Sequence, residues 1–118
     1  MLCVLIFNKF NTENVTSMFG MFYFCCSLKN LDLSNFNTNK VASISLMFSF
    51  CSSLQNLNLS NFIIHDDTNM KCVLTFCIKL NSVIVNKNNN DTLIKEINYA
   101  SLKKVKPIVG TNLVEFTR

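Results

Sequence analysis

Thiol and imidazole are the groups from which this chain can build a nucleophile or a metal centre. Six cysteines stand at positions 3, 25, 26, 51, 72 and 77, beside a single histidine, His65. Zinc centres need clustered ligands, typically Cys-x-x-Cys pairs or cysteine with histidine. Cys25, Cys51 and Cys77 are instead spread 26 residues apart. Cys72 with His65 is the one thiol–imidazole pair that can be drawn for nucleophilic chemistry. His65, Asp66 and Asp67 form the densest polar cluster, which reads as a solvated turn or a weak divalent-cation site. Gly20 and Gly110 are the only glycines, too few for a Gly-rich phosphate loop. The sequence therefore assigns no catalytic, metal-binding or cofactor-binding residue, and expects no cofactor.

A disulfide framework is also disfavoured. Packed helices lie about 8–10 Å apart, beyond the roughly 7 Å Cα separation that a bridge tolerates. Equivalent cysteines on neighbouring helices then act as small buried apolar groups. Cys25 and Cys26, being adjacent, cannot bridge each other without strain. The redox compartment stays open.

The 26-residue spacing extends well beyond cysteine. Phe10, Phe36 and Phe62 keep it, as do Leu28, Leu54 and Leu80, then Leu31, Leu57 and Val83, then Leu33, Leu59 and Val85. Leu2, Leu5 and Phe7 continue the same phase backwards, so the chain opens partway through a unit. Within each unit, "LKNLDLSNF" alternates apolar and polar residues, the period of a half-buried strand. Met18, Met21, Phe22 and Cys25 fall at i, i+3, i+4 and i+7, the spacing of a helix face. Ile44, Met47, Phe48 and Cys51 repeat it, as do Met70, Val73, Leu74 and Cys77. Ser17, Ser43 and Asn69 precede these faces as N-caps. A unit this short buries its apolar face only against its neighbours. The expected fold is an α/β solenoid, a stack of 26-residue strand–helix units with a parallel β-sheet. Strands are expected near 3–7, 30–34, 56–60 and 82–86, and helices near 18–25, 44–51 and 70–77. The solenoid spans 1–87, as a partial unit 1–9 and units 10–35, 36–61 and 62–87.

Leu28, Leu31, Leu33 and Asn35, repeated as Leu54, Leu57, Leu59 and Asn61, write "LxxLxLxN", close to a leucine-rich repeat. Asn35 and Asn61 then satisfy backbone groups of the turn. The longer stretch "FNTENVTSMFGMFYFCCSLKNLDLSNFNTNKV" resembles the BspA-like leucine-rich-repeat surface proteins, over roughly residues 2–86. It is similar to their "NVTxMxxMFxxCxSLxxLDLSNF" type, found in Mycoplasma-type lipoproteins. Two departures stand out. Asp67 replaces the apolar Val15 and Val41, and Phe24, Phe50 and Phe76 replace the usual small residue before the cysteine. The resemblance implies a secreted or surface-displayed module that binds other molecules, with no catalytic residue to carry over.

The binding surface expected is the outward sheet face: Asn30, Asp32, Ser34, Asn56, Asn58, Ser60, Ser82 and Asn86. Amides and hydroxyls there can hydrogen-bond a protein or a glycan. The function expected is a non-enzymatic binding or adhesion module. An intracellular protein–protein scaffold, or a repeat fragment without independent function, stays open as the alternative.

Charge adds exclusions. The net charge is +4, but residues 1–86 carry five lysines against four acids, leaving no electrostatic footprint for nucleic acid. No stretch approaches the roughly 20 apolar residues of a membrane helix. "MLCVLIF" lacks a basic flank and a small-residue cleavage site, so it reads as a strand rather than a signal peptide, and localisation stays open. An uncovered strand at residues 2–7 is expected to promote self-association. Asn14, Asn58 and Asn90 fit the glycosylation acceptor pattern, which chance supplies readily in so Asn-rich a chain. Residues 88–118 are expected to cap the array, with a helix from Asp91 and a strand within "IVGTNLVEF". "SLKKVK" reads as a solvated basic helix end.

Overall fold

Alternating burial builds the first three strands. Leu31, Leu33, Leu57, Leu59, Val83 and Val85 are buried, and the residues between them are exposed or half-buried. A computed structural model describes residues 11–88 and 91–118. In it β1 (Asn30–Leu31), β2 (Asn56–Asn58) and β3 (Ser82–Asn86) are parallel neighbours. Asn30 lies opposite Asn56, and Asn56 opposite Ser82, so the 26-residue step becomes strand register. β3 has the length expected, whereas β1 and β2 stop early. The Asp32 and Asn58 side chains accept the N–H of Ser34 and Ser60, at 3.0 and 2.9 Å, and turn the chain out of the sheet. The strand expected at 3–7, and the self-association assigned to it, lie outside the described residues.

The α/β solenoid of strand–helix units is not what forms. The sheet is mixed and five-stranded, in the order β1-β2-β3-β5-β4. β5 (Leu113–Thr117) runs antiparallel to β3, and β4 (Lys104–Pro107) antiparallel to β5. The one α-helix among the described residues is α1 (Asp91–Tyr99), outside the repeated units. The body measures 32 × 27 × 25 Å, a small globule rather than an elongated rod.

Segments 18–25, 44–51 and 70–77, expected as helices, are runs of tight turns. In the first, Met21, Tyr23 and Cys25 donate their N–H three residues back, to Met18, Gly20 and Phe22. The N–H groups in between reach sideways: Met18 to Ser43, Gly20 to Ser45, Phe22 to Met47 and Phe24 to Ser49, at 2.9–3.0 Å. The second segment repeats this toward the third, with Ile44, Leu46, Phe48 and Phe50 bonded to Asn69, Lys71, Val73 and Thr75. Half the donors thus cross between units, which an α-helix, closing its bonds internally, cannot do. The backbone meets this geometry by entering the left-handed region every fourth residue. Gly20 and Phe24, Leu46 and Phe50, and Cys72 and Phe76 all have φ between 58 and 61°. Leucine, cysteine and phenylalanine are unfavourable there, by about 1–2 kcal/mol each, and the crossing bonds offset that cost. A four-residue turn period and a 3.6-residue helix period bury nearly the same positions, hence the misreading.

The core between turns and sheet is continuous. Phe22, Met47, Phe48, Leu54, Leu57, Leu74 and Leu80 are fully buried. Side chains close the polar seams between units. Thr12 Oγ1 accepts the Asn37 N–H at 2.7 Å and donates to the same residue's carbonyl, and Thr38 does the same at Ile63. Asn61 Nδ2 lies 3.0 Å from the Leu33 carbonyl and 2.9 Å from that of Phe36, the turn-satisfying role expected of it. Cys25, Cys51 and Cys77 are buried among the core side chains, as expected. Cys51 and Cys77 donate to the carbonyls of Phe22 and Phe48.

α1 closes the far side. Leu93 and Ile97, one turn apart, are its buried residues. The helix ends at Ser101, with φ 71°, while buried Leu102 donates its N–H back to Ile97. That is a Schellman-type stop. β4 is the outer strand of the sheet, and its Lys104, Lys106 and Pro107 protect that edge from further pairing.

Candidate functional site

Strand register brings several of the expected face residues together. Asn30, Asn56 and Ser82 lie in one row across β1, β2 and β3, and the Asn56 amide reaches Asn30 Oδ1 at 3.5 Å. β5 and β4 extend the row with Thr117 and then Lys104. The neighbouring row reads Asn58, Ile84, Glu115 and Lys106. Asn30, Asp32, Ser34, Asn56 and Asn58 are exposed, and Ser60, Ser82 and Asn86 are half-buried.

Some of these groups are already engaged. The Ser34 hydroxyl, and then its backbone N–H, hold the Asp32 carboxyl below its ordinary value. Ser82 donates to Glu115 Oε2 across β3 and β5. Asn58 and Asn86 each accept a backbone N–H two residues on, from Ser60 and Asn88. Asn30 and Asn56 bond to each other only at the 3.5 Å limit, which leaves the Asn30 Nδ2 and the Asn56 Oδ1 facing solvent. Thr117, Glu115, Lys104 and Lys106 join the surface without having been expected there. Their only signal was the alternation in "LVEFT" and "KVKP", obscured because "SLKKVK" read as a helix end.

A second exposed feature lies on the turns. Phe24, Phe50 and Phe76, the residues that depart from the pattern before each cysteine, form a ladder of stacked rings. Centroids are 4.4 Å apart between Phe24 and Phe50 and 4.7 Å between Phe50 and Phe76, with interplanar angles of 7 and 19°. Tyr23 meets the first two edge-on. Phe76 ends the ladder, 60% exposed.

The groups first considered for chemistry go elsewhere. His65 sits in an exposed turn, its Nε2 2.8 Å from the Asn39 carbonyl. Cys72 is half-buried against α1, with its N–H donated to Glu96 Oε1. Burial pushes the Cys77 thiol up to about 11, and the nearby Cys51 backbone only partly opposes it. No group of three or more His, Cys, Asp or Glu side chains suited to a metal occurs among the described residues. No helix among them is long and apolar enough to cross a membrane.

In-register 26-residue units with cross-bonded turns define a repeat protein. A family model described as "Mycoplasma protein of unknown function, DUF285" matches residues 5–106, and the chain belongs to that family. No curated protein and no solved structure matches it.

Proposed function

We propose that this chain is a non-enzymatic binding module of the BspA-like surface type, which engages a protein or glycan partner through the polar face of its sheet. The observation that supports this reading is the row Asn30, Asn56, Ser82, Thr117 and Lys104. Neighbouring strands are about 4.8 Å apart, so the row offers amide, hydroxyl and ammonium groups at a fixed spacing on a rigid base. Such groups exchange hydrogen bonds with sugar hydroxyls or a partner's polar surface, and the paired strands beneath them need no backbone reordering to do so. Display at a cell surface and a role in adhesion belong to the same reading.

The test titrates the chain against defined oligosaccharides and purified extracellular-matrix proteins. Any partner found is then measured against an Asn30→Ala/Asn56→Ala double variant. The expected result is at least a tenfold loss of affinity, about 1.4 kcal/mol, with unchanged thermal stability. A partner that binds the double variant and a Lys104→Ala variant as well as the parent would overturn the assignment of this face.

A further inference from the structure

The crossing bonds between turn segments stop at the third unit, and what they leave has a definite shape. In the first two units, N–H groups of alternate residues donate to carbonyls of the next unit. In the third, the Cys72 N–H is taken by Glu96 of α1. The N–H groups of Leu74 and Phe76 have no acceptor among the described residues. Leu74 is buried, and a buried N–H without an acceptor is costly. Both residues line a cavity of about 400 Å³, with Ile78 and Tyr99 as apolar walls and Glu96 and Arg118 as charged groups. Phe76, the last ring of the ladder, lines the same cavity.

The molecule itself shows what complements such an edge. Phe24 donates its N–H to the Ser49 carbonyl, and its ring stacks on Phe50. Phe50 donates to Thr75, and its ring stacks on Phe76. Each time, the carbonyl comes from the residue just before the stacking ring. The carbonyl two residues earlier serves the preceding donor, as Val73 serves Phe48.

We propose that the cavity beside Phe76 binds a peptide segment of a partner protein that carries an aromatic residue. That ring stacks on the outer face of Phe76. The carbonyl preceding it accepts the Phe76 N–H, and the carbonyl two residues before that accepts the Leu74 N–H. Main-chain bonds then supply affinity and the ring supplies selectivity, as when a peptide adds to an open edge. Three residues held at positive φ place the rings of this ladder, and strained backbone of this kind concentrates at binding sites.

The probe is a blocked peptide, Ser-Leu-Met-Phe-Ser-Phe, which copies residues 45–50. It is titrated into the ¹⁵N-labelled chain. The amide signals of Leu74 and Phe76 are expected to shift downfield and saturate. A peptide ending in alanine instead of phenylalanine should bind about tenfold more weakly, because the ring contact is lost. Phe76→Ala should lose a similar factor and Phe76→Tyr should retain binding. The Asn30→Ala/Asn56→Ala variant should bind the peptide unchanged, so failure here leaves the sheet-face reading standing. Equal affinity of the two peptides, shifts confined to the sheet face, or no saturation by about 1 mM peptide would each overturn the proposal.

Discussion

Glu96 Oε1 accepts the backbone N–H of Cys72 at 2.7 Å. The equivalent donors, on Gly20 and Leu46, bond to carbonyls of the following unit, at Ser45 and Lys71. A side chain of α1 thus stands in for the next repeat. Removing it should destabilise the third unit. Glu96→Ala is expected to cost about 1–3 kcal/mol, the penalty for orphaning a partly buried donor. Glu96→Gln, which keeps an acceptor oxygen, should cost less. Urea unfolding of both variants checks this, and equal stability of Glu96→Ala and parent would contradict it.

Thr38 is 1% exposed and serves both polar groups of Ile63, accepting its N–H at 2.8 Å and donating to its carbonyl at 3.2 Å. Thr38→Val keeps the shape and removes both bonds. It should lower stability by about 1–3 kcal/mol, whereas Thr38→Ser, which keeps the hydroxyl, should lose less. The same measurement decides, with exposed Asn39→Ala as a neutral control.

Much of this was legible in the sequence, and the misses have physical causes. The 26-residue step gave the register of Asn30, Asn56 and Ser82, because in-phase repeats pair equivalent residues. Asp91, Leu93 and Ile97 gave α1. The turn segments were misread because Met18, Phe22 and Cys25 are buried in both geometries. Gly20 was the available signal: it falls in the middle of an expected helix and occupies a left-handed position. Leu46 and Cys72 occupy the equivalent sites without glycine, which hid the pattern. β4 was missed because its edge residues, Lys104 and Lys106, are chosen for solvent and show no buried face. The Phe24, Phe50 and Phe76 substitutions were visible, but their ring contacts depend on a backbone conformation that periodicity does not reveal.

Cys77 predicts a pH dependence. Its thiol is raised from 9.0 to about 11 by burial. Below 9 both folded and unfolded chains hold the proton, and the contribution is fully present. Between 9 and 11 the unfolded chain loses its proton while the folded chain keeps it, so stability falls as pH rises. At about 1.4 kcal/mol for each pKa unit, the loss is on the order of 2–3 kcal/mol by pH 11. Comparison with Cys77→Ala isolates it from lysine and tyrosine titration: the variant is less stable at pH 8, and the gap narrows as pH rises through this window. A constant gap would contradict the assignment.

Scalar couplings across hydrogen bonds, measured by NMR on the labelled chain, show directly whether neighbouring units are joined by alternate N–H groups of their turns. The predicted correlations link the Phe48 nitrogen to the Val73 carbonyl carbon and the Phe50 nitrogen to that of Thr75. Leu74 and Phe76 should show none in the chain alone. Correlations from Phe48 to Ile44 and from Phe50 to Leu46, the i to i−4 pattern of an α-helix, would contradict the account.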